Sequence, residues 1–244
     1  MISLMKFNKS VLTSRRRNKQ MLRLLVTGSS KGIGEACVRY FLENEPFCQI
    51  TGFDIVEPPE DIKNDARFRH YSVDVSKPEE FPDLEFDVII NNAGIQDNSP
   101  NCVDVNLKGI VNIAERYALH SEFKGIVNVG SVSAHTGEEF PWYAASKGGI
   151  LPYTKNLAYR LAQYGATCNC ISPGGVLTEL NQPVIDDEHL WNDIMNVTPM
   201  KKWASAEEIA EWIWFLLMVN KSMTGQDIII DNGEMIISKF VWRD

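Results

Sequence analysis

The chain has 244 residues, 44% of them hydrophobic, and a formal net charge of −8, which suits one domain with a full core. Its charge is uneven: residues 1–20 hold Lys6, Lys9, Arg15, Arg16, Arg17 and Lys19 and no acid, so the other 224 positions hold 18 basic against 32 acidic side chains, a net of −14. A body this acidic excludes nucleic acid or an anionic membrane as its main partner, and the longest apolar run, Trp212 to Val219, is too short to span a bilayer.

Residues 1–20 lack the apolar stretch of a secretory signal. A short mitochondrial-type presequence and a nucleic-acid arm are both compatible with them, but Met21 directly before the first strand favours a flexible extension. Residues 21–244 then form a single domain. The five cysteines (Cys37, Cys48, Cys102, Cys168, Cys170) are odd in number, scattered, and without Cys-x-x-Cys spacing or a histidine cluster. They read as reduced thiols of a cytoplasmic protein, with no metal site.

From Leu22 onward, short β-rich runs alternate with helical patterns. The predicted strands are Leu22–Thr27, Gln49–Phe53, Phe68–Val73, Val88–Asn91, Gly125–Val129, Thr167–Ile171 and Asp227–Ile230. The predicted helices are Ile33–Glu43, Cys102–His120, Trp142–Gln163 and Ala206–Met218. Several strands are continuously apolar, as strands covered on both faces are. The alternation predicts an α/β fold, a doubly wound parallel sheet of about seven strands with helices on both faces, in which ligands bind outside the carboxyl ends of the strands.

The first strand runs into Thr27-Gly28-Ser29-Ser30-Lys31-Gly32-Ile33-Gly34. Glycines there permit a tight turn and close approach of the backbone to a pyrophosphate, whose charge would lie at the N-terminus of the next helix. The spacing is Gly-x-x-x-Gly-x-Gly, not the commoner Gly-x-Gly-x-x-Gly. Asp54 stands 20 residues past Gly34, at the end of the second strand, where an acid reaches the adenosine ribose hydroxyls. A carboxylate there repels an extra 2′-phosphate and predicts NAD as the cofactor. Lys31 is the counter-signal for NADP, and Ile55 beside the acid adds no positive charge.

Tyr143 and Lys147 lie four residues apart, on one face of a predicted helix. A phenol of pKa about 10 is a poor base at neutral pH. An ammonium about 4 Å away would favour the phenolate by roughly 4 kcal/mol at an effective dielectric near 20. The spacing alone also suits a tyrosine packed under a lysine stem.

With the loop, Asp54 and the Tyr143–Lys147 pair, residues Leu22 to Glu234 strongly resemble the short-chain dehydrogenase/reductase family. Asp74-Val75 resembles its adenine-contacting pair, and Asn91-Asn92-Ala93-Gly94 the segment that closes the fourth strand beside the cofactor. Asn106 resembles the asparagine that holds a proton-relay water next to the lysine. Ser131, 12 residues before Tyr143, resembles the catalytic serine. Pro173-Gly174-Gly175-Val176-Leu177-Thr178 resembles the loop at the nicotinamide end, and Thr224-Gly225-Gln226 precedes the last strand. The resemblance implies hydride transfer between NAD(H) and an alcohol/carbonyl pair, with Tyr143 as general acid/base assisted by Lys147, Ser131 and Asn106. It implies a cofactor held by Gly28, Ser30, Lys31, Gly32, Ile33, Gly34, Asp54, Asp74, Val75, Asn92, Ala93, Gly94, Tyr143, Lys147, Pro173, Gly174, Val176 and Thr178.

Ser133, ten residues before Tyr143, is the alternative hydroxyl. Ser133, His135 and Trp142, with Phe140, Glu138 and Glu139, are expected around the substrate. Two alternatives remain open: an NADP(H)-preferring carbonyl reductase of the 3-oxoacyl reductase kind, and a non-catalytic NAD(H)-binding regulator.

The chain departs from the family pattern in four places. Only 12 residues separate Gly94 from Asn106, which predicts a pocket open on one side. Pro152 falls inside the Tyr143 helix and predicts a kink. Asp231-Asn232-Gly233 stands where the family often has Asp-Gly-Gly. Glu179 to Lys202, with Trp191, forms a short substrate lid. The run from Trp212 to Val219 is apolar all round, so one face is expected on the sheet and the other in a homodimer or a D2 homotetramer.

Overall fold

A computed structural model describes residues 21–236; the basic leader lies outside the described residues. The strands are β1 (Leu22–Thr27), β2 (Cys48–Asp54), β3 (Phe68–Ser72), β4 (Val88–Asn91), β5 (Gly125–Val129), β6 (Thr167–Pro173), β7 (Val176–Leu177), β8 (Ala204–Ser205) and β9 (Asp227–Ile230). The helices are α1 (Gly32–Asn44), α2 (Glu60–Lys63), α3 (Gly109–Tyr117), α4 (Ser133–Thr136), α5 (Pro141–Leu161), α6 (Gln182–Ile185), α7 (Glu188–Val197) and α8 (Ala206–Trp214).

Seven strands form one parallel sheet in the order β3-β2-β1-β4-β5-β6-β9. The order reverses between β1 and β4, the position at which such sheets open a crevice for ligands. The small parallel pair β7–β8, not foreseen from the sequence, ties the segment after β6 to the start of α8.

Side-chain alternation explains why the central strands are apolar throughout. Leu24 and Val26 of β1 point to one face with Ile50, Val88, Ile90 and Val127, under α1 and α8. Leu25, between them, points to the other with Phe53, Ile89 and Ile126, under α3 and α5. Each such fully buried residue contributes roughly 1.5–3 kcal/mol of transfer free energy. The seven strands of the main sheet match the expected ones with end shifts of one or two residues, whereas the expected helices from Cys102 and Ala206 end three and four residues early as α3 and α8, and the short helices α2, α4, α6 and α7 were not foreseen.

Three further details differ from expectation. The segment expected as one helix from Cys102 begins as a π turn, Val103–Lys108, in which the Gly109 amide reaches back to the Asp104 carbonyl. A second π turn, Phe215–Val219, ends α8. Pro152 does not break α5, which runs unbroken for 21 residues. Pro152 faces solvent, where the carbonyl it leaves unpaired can be hydrated. The apolar run after α8's midpoint divides as expected: Ile213, Leu216 and Leu217 are buried, whereas Trp212, Phe215 and Val219 are exposed. No helix among the described residues is long and apolar enough to cross a membrane.

Candidate active site

The carboxyl ends of β4, β5 and β6 and the start of α1 converge on a cavity of about 560 Å³. β1 turns into α1 through Gly28, whose φ of +64° is left-handed and whose Cα faces the Ala93 backbone. A Cβ on Gly34 would come 1.8 Å from the Gly28 carbonyl oxygen. The loop therefore folds on itself only because both positions are glycine. Asp54 ties the loop to β2: one carboxylate oxygen accepts from the Ser30 amide at 2.9 Å and the other from the Val56 amide at 3.0 Å. Its charge lies at the end of β2, and Lys31, which follows the Ser30 it holds, is exposed. Asn92 secures the next crossing by donating to the Thr27 and Gly28 carbonyls at 3.2 and 3.0 Å.

The cavity lining takes in Ile33, Asn92, Gly94, Pro173, Gly174, Val176 and Thr178 together with Ser131, Tyr143 and Lys147. Gly28, Ser30, Lys31, Gly32, Gly34, Asp54, Asp74, Val75 and Ala93 lie outside that lining, along the ends of β1 to β4. Asp74 accepts from the amide and hydroxyl of Ser76 at 3.0 and 2.7 Å, while Val75 is buried. The expected residues thus divide into a cavity set and an adjoining edge set. That division fits a dinucleotide, whose two halves need separate sites.

At the cavity's centre, Lys147 is only 5% exposed. Its ammonium donates to the Val129 carbonyl at 2.9 Å and lies 5.8 Å from the Tyr143 ring centroid. Burial lowers its pKa from 10.5 to about 8. The expected effect on the tyrosine is not present in this structure. Burial pushes the Tyr143 phenol up to about 12, and the group pulling it back is the Ser131 hydroxyl beside it, not the ammonium. Both groups leave water together, so the lysine charge is itself disfavoured by the burial that disfavours the phenolate.

Asn106 is fully buried and has its side chain fully engaged. Its Oδ1 accepts from the Ile95 amide at 2.8 Å, and its Nδ2 donates to the Ile95 carbonyl at 2.9 Å and the Ser146 hydroxyl at 3.0 Å. Ser146 in turn donates to the Tyr143 carbonyl at 2.7 Å. The asparagine side chain thus braces the turn that carries Tyr143 and makes no bond to Lys147. Sequence reasoning missed Ser146, although it lies between the two residues that drew attention.

Four expected substrate contacts lie elsewhere. Ser133 is buried behind Ser131, its hydroxyl accepting from the Ser131 hydroxyl at 3.1 Å. His135 turns away to Asp227, at 2.6 Å. Trp142 and Phe140 face solvent at the start of α5. None of the four lines the cavity, whereas Glu138 and Glu139 do. The alternation of a short helix and a glycine turn, Gly137 at φ +71°, sends consecutive residues to opposite sides. Gln96, Trp203 and Glu234 also line it, unforeseen from the sequence.

Residues 28–234 match the family described as enoyl-(acyl carrier protein) reductase. The chain is 27% identical over 241 residues to the 3-oxoacyl-[acyl-carrier-protein] reductase of Chlamydia pneumoniae, covering 86% of this chain and 96% of that protein. A solved structure of 4-hydroxyisoleucine dehydrogenase complexed with NADH is 27% identical, with a TM-score of 0.80, covering 89% of this chain and all of that one. At the level of fold alone, a structure of ElxO with NADP bound has a TM-score of 0.78 at 24% identity, covering 89% of this chain and 100% of that one.

Proposed function

The chain belongs to the short-chain dehydrogenase/reductase family and is an oxidoreductase, and we propose that it transfers a hydride between NAD(H) and an alcohol/carbonyl substrate at Tyr143. The observation that carries this reading is the convergence of Ser131, Tyr143 and Lys147 on one cavity with the Gly94 and Pro173–Thr178 segments. The self-contacting loop of Gly28 and Gly34 fits a pyrophosphate, because any side chain there would close the approach. Bound NAD(H) supplies the hydride acceptor or donor.

The chain's own residues do the rest. The loop from Gly28 to Gly34 holds the pyrophosphate, Asp54 the adenosine ribose, Lys147 the nicotinamide ribose, and Pro173–Thr178 the nicotinamide end. Ser131 donates a hydrogen bond to the substrate oxygen and fixes it near Tyr143. In oxidation the Tyr143 phenolate takes the hydroxyl proton as hydride leaves the same carbon; in reduction the Tyr143 phenol returns that proton. Asn106 acts through Ser146 by holding the tyrosine turn. Acid–base catalysis of this kind contributes about 10²–10⁴-fold.

The family binds NAD(P). The preference for NAD rests on Asp54, whose fixed carboxylate would face a 2′-phosphate. A kcat/KM with NADP equal to that with NAD overturns this part alone. The exposed Trp212, Phe215 and Val219 support a homo-oligomer, a D2 tetramer in our reading, and a monomer by light scattering at micromolar concentration would refute it.

The test of the whole is Tyr143→Phe. Turnover should fall by at least about 10³-fold while NADH, followed by fluorescence, binds within threefold of wild type. Full activity in this variant removes Tyr143 from the mechanism, and lost NADH binding makes it a binding residue only.

A further inference from the structure

One wall of the cavity is built from residues that hydride transfer does not use. At its base the chain runs Gly174-Gly175 between β6 and β7, and the indole of Trp203 lies directly on Gly175. A Cβ there would come 2.0 Å from Trp203 Nε1, and one on Gly174 would come 2.4 Å from Glu234 Oε2. The close approach of backbone, indole and carboxylate therefore requires both glycines. Trp203 is 8% exposed and is braced edge-on by Trp191 of α7, with ring centroids 5.1 Å apart. Its Nε1–H has no partner of hydrogen-bond geometry. Glu234 accepts only a long bond, 3.3 Å, from the Gly175 amide. Burial pushes its carboxyl above the usual range, with the Gly175 and Trp203 N–H groups pulling it partly back. A half-buried carboxylate with so little internal compensation has acceptor capacity left for a ligand.

The opposite rim repeats the sign of charge. Glu138 and Glu139 line the mouth, and Glu139 accepts from Gln96 Nε2 at 3.0 Å. Glu139 has a φ of +72°, a left-handed conformation that a non-glycine residue adopts at a cost, typically near ligand sites. Burial raises its carboxyl too. Against these three acids, the lining contributed by the described residues has a single cation, Lys147, whose ammonium already donates to Val129. An incoming anion would lose its hydration to a wall of its own charge.

We propose that Glu234 is a specificity-determining residue: it accepts a hydrogen bond from a hydroxyl or ammonium group of the substrate and, with Glu138 and Glu139, shuts out carboxylate and phosphate substrates. The inference rests on the hydride-transfer reading for the position of the reacting carbon, but the selection of charge is a property of the cavity. Trp203 and the Gly175 amide act as positioning groups for the carboxylate.

The probes are matched sets that differ in one group: glycerol, glycerate and serinol, and glucose, gluconate and glucosamine. Calorimetric titration into NADH-loaded Tyr143→Phe protein reads selection without turnover. In at least one set the hydroxyl or the ammonium compound should bind at least tenfold more tightly than its carboxylate counterpart. The hydroxyl and ammonium arms show which donor Glu234 takes. In Glu234→Gln, which keeps the volume and an acceptor for the Gly175 amide, the gap should shrink at least fivefold, chiefly by tighter binding of the carboxylate. Equal or tighter carboxylate binding, no binding of any probe, or a gap unchanged in Glu234→Gln overturns the proposal. Turnover assays of wild type with the same probes judge the hydride-transfer reading separately, since loss of turnover leaves the binding gap intact.

Discussion

The two edges of the sheet each bury a charged side chain, and they treat it in opposite ways. At the amino edge, just before β4, Asp87 is 1% exposed. It receives the Arg23 amide at 2.8 Å, the Arg23 guanidinium at 3.1 Å and the Lys124 ammonium at 3.7 Å. Burial alone would raise its pKa, but the Arg23 contacts and the Lys124 charge outweigh it, and the carboxylate is held below its usual range. At the carboxyl edge, Lys147 is buried almost as deeply, with one backbone carbonyl as hydrogen-bond acceptor. Its ammonium is disfavoured to the extent that its pKa falls to about 8. One edge compensates its charge and is stable; the other leaves its charge under tension and available for chemistry.

Breaking the compensated edge should give the largest effect on folding. Asp87→Asn weakens the charge-assisted bonds that Asp87 makes with Arg23, which keeps Glu85, and with the half-exposed Lys124, and should cost about 3 kcal/mol in urea unfolding, while kcat/KM of the folded enzyme stays at wild type. A stability loss below about 1 kcal/mol would show that the network is no more than a surface pair. The uncompensated edge should respond in the reverse direction. Lys147→Met should abolish turnover yet stabilise the fold at pH 7 by about 2 kcal/mol. The sign follows from the lowered pKa. Below about 8 both folded and unfolded wild type carry the proton, and the folded form bears the full penalty. Between about 8 and 10.5 the folded form loses the proton first, so wild-type stability rises and the advantage of the variant fades. Variant stability no higher than wild type at pH 7 would place Lys147 among the structural charges.

The smallest effect sharpens the same edge. Ser131 is the group that pulls the Tyr143 phenol back from the rise that burial causes. In Ser131→Ala the pH dependence of oxidation should move to higher pH, with kcat/KM reduced about 10²-fold at pH 8. An unmoved profile would make the serine a binding group without influence on the base.

Most of the fold was legible because its signals are local. Val88–Asn91 and Gly125–Val129 are too apolar to be anything but covered strands, and Gly28 to Gly34 advertises its turn. Ser131, Tyr143 and Lys147, the proposed acid/base group, were singled out by spacing only together with the family resemblance. What escaped depends on distance in sequence or on how a turn aims its side chains. Nothing local marks Glu234, which meets Gly174 and Gly175 only because β6 and β9 are neighbours. His135 and Glu139 are four residues apart, and only the left-handed backbone at Gly137 and Glu139 sends one to Asp227 and the other to the cavity. The π turn at Asn106 has no residue signature, since a single extra residue per turn leaves the apolar pattern nearly unchanged. The tyrosine's acidity was misjudged because pairwise attraction was counted and shared desolvation was not.

Tyr143 is the third residue of α5, and the residue ahead of that helix, Phe140, offers no side-chain cap to its first amides. The aligned peptide dipoles of 21 residues therefore leave a fractional positive charge at their open end, uncancelled by a capping oxygen. That end field works toward an anion on the tyrosine oxygen independently of Lys147, and against the neighbouring Glu139 charge, which works the other way. It is built into the backbone, so it neither titrates nor depends on a side chain holding its rotamer. An apolar residue at position 140, a poor choice for helix stability alone, thus leaves the proposed base beside a permanent electrostatic bias.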